Sequence, residues 1–141
     1  MINEELMEKY PFLVKKIDDW SGMMLSEDEI SYDNNWWDDI PEGWANAFGE
    51  EMCNELLEIL NEANYVDEYC IVQIKEKFAG LRLYDNGVPE SIRDKYYAWL
   101  NKYEQLSYKT CIKCGSPATR MTKGWVVPLC DTCYNELYSE R

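Results

Sequence analysis

Two pairs of cysteines constrain this chain more than any other feature of its sequence. Two residues separate Cys111 from Cys114 and Cys130 from Cys133, and fifteen residues lie between the pairs. A two-residue spacing lets one tight turn present both sulfurs to the same ion, and two such turns facing each other complete a tetrahedron. Gly115 follows the first pair and allows the positive φ that turns backbone amides toward the sulfurs. The pattern predicts one metal ion held by all four cysteines.

This ligand set favours zinc in a closed structural site, with iron in a rubredoxin-like site as the alternative. Four thiolates leave no coordination position for water, so we expect a structural rather than a catalytic ion. A redox dithiol is disfavoured because a single pair would suffice for that role. The segment Trp125-Val126-Val127 predicts a strand before the second pair, and hence a zinc-ribbon-like module over residues 107–141. Four basic residues are placed in sequence to offset the thiolate charge: Lys109, Lys113, Arg120 and Lys123.

The absence of histidine from the 141 residues excludes several kinds of enzyme. Three arrangements that need histidine cannot form: a Ser-His-Asp triad, a Cys-His pair and a His-ligated hydrolytic zinc site. We therefore interpret the other two cysteines, Cys53 and Cys70, as buried small hydrophobes. The adjacent carboxylates Asp18-Asp19 and Asp38-Asp39 give only a weak indication of a second metal, because neighbouring side chains on regular structure point in different directions. The chain is predicted not to be an enzyme.

The charge of the chain is divided unevenly along its length. The formal net charge is −13, but residues 17–74 carry 16 acidic side chains and no Lys or Arg. Residues 1–74 have a net charge of −16 and residues 75–141 a net charge of +3. Solubility explains part of this bias, yet ordinary surfaces mix both signs. The alternative is a surface that docks on a basic partner. Under either interpretation, direct nucleic-acid binding by the whole chain is disfavoured.

Periodicity in residues 1–106 predicts an α+β domain with helices packed on a short β-hairpin. Apolar residues recur at helical spacing over residues 42–62, on the stripe Trp44, Phe48, Met52, Leu56 and Leu60. Residues 69–74 and 81–84 read as the two strands, with Phe78, Leu81 and Tyr84 expected to pack on the helices. Residues 89–106 predict a second helix, with its apolar stripe on Ile92, Tyr96, Trp99, Leu100, Tyr103 and Leu106.

The segment Lys75-Glu-Lys-Phe-Ala-Gly-Leu-Arg-Leu-Tyr84, together with the paired cysteines and Gly43-Trp44, resembles a group of small, uncharacterised phage and prophage proteins. That group carries a Lys-Glu-Lys-Phe-Gly-Gly-Leu-Arg-Phe-Tyr signature, from which this chain departs at Ala79 and Leu83. The resemblance covers about residues 41–133. An acidic phage protein without catalytic apparatus also resembles anti-CRISPR proteins, among them zinc-containing inhibitors of Cas9.

The first hypothesis for function is accordingly a non-enzymatic inhibitor or adaptor that docks on a basic, nucleic-acid-binding protein, with Cas9 as the sharpest candidate. The expected contact residues are acids with two tryptophan anchors, although both tryptophans can equally be core: Asp33, Trp36, Trp37, Asp38 and Asp39. The second hypothesis is a phage zinc-ribbon regulator associated with nucleic acid or the transcription machinery. Lys75, Lys77 and Arg82 either pair with the acidic half, which we favour, or form a separate basic surface.

The sequence also predicts where the protein works. No stretch approaches the roughly 20 apolar residues that span a bilayer, and the acidic start lacks secretory character. We therefore expect a protein of the cytoplasm, the host cytoplasm if the chain is phage-encoded. In that reducing compartment cysteines serve as metal ligands or free thiols before they form disulfides.

Overall fold

The computed structural model describes residues 3–18, 20–122, 124 and 126–139, and it is a mixture of helices with two small antiparallel sheets. Asp19, Lys123 and Trp125, which the sequence analysis singled out, lie outside the described residues. The helices are α1 (Asn3–Lys9), α2 (Glu42–Trp44), α3 (Glu50–Glu62), α4 (Glu90–Tyr108) and α5 (Asp131–Ser139). The strands are β1 (Ile71–Lys77), β2 (Gly80–Asp85), β3 (Arg120–Met121) and β4 (Pro128–Leu129). The predicted α+β class is confirmed, and in the described part of the chain no helix is both long and apolar enough to cross a membrane.

The predicted helix over residues 42–62 is present as one continuous helical stretch. α2 leads through a π-helical turn (Ala45–Gly49) into α3. All five members of the predicted stripe are buried, from Trp44 to Leu60. The indole N–H of Trp99 on α4 donates to the backbone oxygen of Met52 over 3.0 Å, which fixes the two long helices against each other. The stripe is therefore core, as the spacing indicates.

The predicted hairpin is formed by β1 and β2, with a two-residue turn at Phe78 and Ala79. Both turn residues have positive φ (51° and 74°), the backbone geometry whose twist matches that of a tight hairpin. Phe78 therefore points away from the sheet and is 77% exposed, so its predicted packing on the helices is wrong. Tyr84 is also exposed, because successive residues of a strand face opposite sides and Leu81 faces the core.

α4 packs on β2 of the hairpin. Leu81 donates its backbone N–H to the hydroxyl of Ser107 over 2.8 Å. Ile92, Tyr96, Trp99 and Tyr103 are buried as predicted and Leu100 is partly buried. Leu106 is exposed and Ser107 is buried instead, so the stripe ends in a polar residue that serves the hairpin backbone. The predicted domain boundary between residues 106 and 107 falls within α4, and the division into two domains stays a prediction.

Hydrogen bonds among the side chains of Tyr69, Tyr96 and Asp85 join the hairpin to α4. The hydroxyls of Tyr69 and Tyr96 lie 2.6 Å apart, and the Tyr96 hydroxyl donates to Oδ2 of Asp85 over 2.6 Å. Burial raises the pKa of both tyrosines, so each hydroxyl keeps its proton at neutral pH. The Asp85 carboxylate at the end of β2 is thereby held by a donor from the neighbouring helix.

We expect the Tyr96→Phe variant to lose about 1–3 kcal/mol of unfolding free energy, because the Tyr69 hydroxyl and the Asp85 carboxylate would each lose a partner. Urea unfolding followed by circular dichroism measures the change. Tyr97→Phe is the matched control, since Tyr97 is exposed on the same helix. Equal stability of the two variants would contradict the role given to the hydroxyl chain.

Candidate metal centre and partner surface

The first cysteine pair lies on a tight turn after α4. The backbone N–H of Cys111 donates to the Ser116 oxygen over 2.7 Å, and the N–H of Gly115 donates to the Cys111 oxygen over 3.0 Å. Gly115 has φ +90°, as the sequence predicted for the residue that follows the pair. Cys111 is fully buried and Cys114 is exposed, so the site lies at the surface with one side closed.

This turn is docked directly on the start of the helical stretch. Gly43 donates its N–H to the Ile112 oxygen over 2.8 Å, and the Trp44 indole N–H donates to the Thr110 oxygen over 2.9 Å. A Cβ at Gly43 would overlap the Cys111 carbonyl and lie 2.5 Å from the Ile112 carbonyl carbon. A Cβ at Gly115 would lie 2.7 Å from the Gly43 oxygen. The two glycines let two backbones meet where no side chain fits.

The second cysteine pair stands at the start of α5. Cys130 directly precedes the helix, and the N–H of Cys133 donates to the Cys130 sulfur over 3.4 Å. An N–H at the first turn of a helix stabilises a negatively charged sulfur. The Thr119 backbone N–H donates to the Leu129 oxygen over 2.9 Å, which ties this pair to the β3–β4 ladder.

The four sulfurs are arranged as ligands of one ion. All lie within 4.8 Å of one another, and Sγ of Cys114 is 3.7 Å from Sγ of Cys130. A tetrahedron with zinc–sulfur bonds of about 2.3 Å has edges of about 3.8 Å, and a disulfide would bring two sulfurs to about 2.05 Å. The structure therefore brings the four predicted ligands together into a cluster that could hold a metal ion, with a spacing compatible with zinc.

The four thiols do not share one environment before a metal binds. Hydrogen bonds from the hydroxyl and the backbone N–H of Ser116 lower the pKa of Cys114 to about 6. Burial raises the pKa of Cys133. The exposed Cys114 is thus the first thiolate available to an incoming ion.

The basic residues near the cysteines are engaged differently from the sequence prediction. Arg120 pairs with Asp131 at the start of α5, with its Nε 2.9 Å from Oδ1, rather than only offsetting thiolate charge.

The basic residues of the hairpin are also engaged differently from the prediction. Arg82 pairs with Glu104 of α4 over 3.3 Å, so its predicted pairing with the acidic half is wrong. Lys75 and Lys77 form no ion pair with any residue that the structure describes.

The predicted partner-binding residues fall into two groups. Asp33, Asp38 and Asp39 are exposed, although Asp39 is 2.7 Å from the ammonium of the buried Lys15. Trp36 is 2% exposed, and Trp37 is partly buried against the core. Trp36 therefore lies in the core and not on the surface where an anchor would stand.

The exposed tryptophan of the acidic half is Trp20, which is not among the predicted contact residues. Trp20 is 97% exposed, and Met23 and Met24 on the same loop are 70% and 68% exposed. The Asp18 carboxylate accepts the backbone N–H groups of Trp20 and Ser21, and Gly22 has φ +74°. The Ser21-Gly22 dipeptide is a turn signal that places its neighbour at a loop tip. Trp20, Gly22, Met23 and Met24 are called the tryptophan loop below.

The two remaining cysteines are buried, as predicted. Cys53 lies on α3 and Cys70 precedes β1. Burial raises the pKa of Cys53 to about 12, and burial also raises that of Cys70. Both therefore remain neutral thiols at physiological pH.

No protein-family model matches this chain, and no curated protein or solved structure matches it either. The resemblance to phage proteins and to anti-CRISPR inhibitors therefore stays a prediction from the quoted residues.

Proposed function

We propose that this chain is a non-enzymatic, zinc-binding phage protein that docks on a basic, nucleic-acid-binding protein and inhibits it. Our best candidate for that partner is Cas9. The zinc has a structural role, because four thiolates complete its coordination and stabilise a ribbon-like module around β3 and β4. The host cytoplasm is the proposed compartment.

The observation that carries the proposal is the exposed tryptophan loop within 58 residues that contain no Lys or Arg. Tryptophan is the residue type most enriched among the anchors of protein interfaces. The acidic 3₁₀ turn Glu27–Glu29 follows the loop in sequence and has no buried residue. An apolar anchor beside negative charge matches a partner whose apolar pocket is rimmed by lysine and arginine.

The Trp20→Ala variant tests the anchor. We expect it to weaken binding to Cas9 by at least about tenfold, the loss typical of an interface anchor. The matched control is Tyr97→Ala, which removes an exposed aromatic ring from α4. Equilibrium titration with Cas9, with and without guide RNA, and inhibition of DNA cleavage are the two readouts. Absence of a complex between wild-type protein and Cas9 in dilute salt would exclude Cas9 as the partner. Equal weakening of binding by both variants would exclude the tryptophan loop as the contact surface.

A further inference from the structure

A groove of about 420 Å³ lies between the hairpin and the loop that precedes the second cysteine pair. Its described walls are formed by six residues: Lys75, Glu76, Lys77, Phe78, Gly124 and Val126. The lining is mainly apolar, and the exposed ring of Phe78 forms one end. The groove is separate from the four sulfurs and from the tryptophan loop.

The rim of this groove is positively charged. Lys75 and Lys77 lie on it, and their ammonium groups are 5.9 Å from the Tyr84 ring and 5.7 Å from the Phe78 ring. The carboxylate of Glu76 accepts the backbone N–H of Ala79 over 2.8 Å, and so it is turned to the hairpin turn. The groove thus offers a mainly apolar floor beside the two ammonium groups of β1.

The tryptophan loop is also apolar, but it lies in the negatively charged half of the chain. It presents Trp20, Met23 and Met24 to solvent on the half of the chain with a net charge of −16. Trp20 at 97% exposure makes almost no contact with its own chain, so its indole is available to another molecule. The apolar side chains of the loop suit the apolar floor of the groove, and the acids near the loop complement the lysines at the groove.

We propose that the groove is the binding site for the tryptophan loop of a second copy of this chain. A second copy is favoured over single-stranded nucleic acid because the floor of the groove is mainly apolar, which suits the Trp20, Met23 and Met24 side chains better than a phosphate backbone. At physiological salt, charges beyond about 8 Å are screened, so repulsion between copies weakens while contacts in the groove remain. Loop and groove are different surfaces, so the contact is head-to-tail and each copy can use both. The loop also serves the proposed function, so a second copy and the basic partner compete for it.

Sedimentation velocity of the zinc-loaded full chain, from micromolar to millimolar concentration at about 0.15 M salt, tests this contact. We expect the wild type to sediment increasingly above the 16.7 kDa monomer as concentration rises. Trp20→Ala removes the loop anchor and Lys77→Glu reverses the charge at the groove, and each is expected to raise the dissociation constant by about tenfold or more. Arg93→Glu is the matched control, an exposed cation on α4.

The decisive measurement is an equal mixture of the two defective variants. Trp20→Ala keeps an intact groove and Lys77→Glu keeps an intact loop, so the mixture has one working contact and is expected to form a dimer that grows no further. A wild type that stays monomeric, a mixture that does not recover, or a Lys77-dependent complex with labelled oligothymidine without self-association would overturn the proposal. Cas9 binding by Lys77→Glu should stay at the wild-type level, which separates failure of this contact from failure of the proposed function.

Discussion

Removal of the metal with a strong chelator is expected to unfold residues 116–139 and to leave the hairpin, the long helices and the first cysteine turn folded. Among the residues that the structure describes, the core cluster of the cysteine module has three buried members, Cys111, Leu129 and Cys133. A structural zinc ion contributes on the order of 10 kcal/mol to such a module, more than this cluster supplies. The main core extends from Leu6 to Tyr103 and does not include the four clustered cysteines.

Amide NMR spectra recorded during chelation measure this effect residue by residue. We expect signals from residues 116–139 to collapse to unfolded positions, and signals from α3, α4 and the first cysteine turn to persist. Elemental analysis of the starting material should give one zinc per chain, and iron in its place would show as visible colour. Acidification should have the same effect as the chelator, because protons compete with the metal for thiolates.

Two cysteine variants provide the control for the chelation experiment. Cys114→Ser removes one of the four clustered sulfurs and should abolish stoichiometric zinc binding. Cys70→Ala removes a buried thiol that lies outside the cluster and should keep one zinc. A metal-free protein with an unchanged spectrum would contradict the structural role of the ion.

The Gly43→Ala variant is expected to lower the unfolding free energy by about 3 kcal/mol and to weaken zinc binding. The added methyl group would overlap the carbonyl groups of Cys111 and Ile112, and backbone cannot move aside as a flexible side chain can. Relief of this overlap requires that the first cysteine turn move away from the helix, which would also break the hydrogen bond from the Gly43 N–H to Ile112.

Urea unfolding and zinc competition against a chelating dye measure the two effects of Gly43→Ala together. Asn46→Ala, an exposed position of the same helical stretch, is the control and should change neither quantity. Loss of stability without loss of zinc affinity would show that the turn keeps its shape away from the helix. That result would contradict the coupling that we infer between helix and metal site.

The sequence predicted the elements whose signal is periodic or whose spacing is fixed by chemistry. The stripe from Trp44 to Leu60 repeats every four residues, and the paired cysteines have the spacing that one ion requires, so both predictions are confirmed at the level of burial and clustering. The hairpin was also predicted, although its strands extend to Lys77 and Asp85.

The errors lie in turns and loops, where no period constrains the direction of a side chain. Phe78 was placed on the packed face because it is aromatic, but the positive φ of a two-residue turn directs it outward. Ala79 adopts φ 74°, a conformation that favours glycine, so the turn forms here with a residue that carries a Cβ. Trp36 was expected either as a partner anchor or as core, and it lies in the core, whereas Trp20 on the neighbouring loop is exposed.

The docking of the first cysteine turn on Gly43 and Trp44 has a consequence for how the ion is captured. The Gly43 N–H and the Trp44 indole N–H hold the backbone around Cys111 without the help of an ion. Half of the proposed coordination shell is thus preorganised, and only Cys130 and Cys133 would have to be ordered when a cation binds. The helical stretch acts as a template for metal capture, which makes the affinity of the site a property of the whole fold rather than of four sulfurs alone.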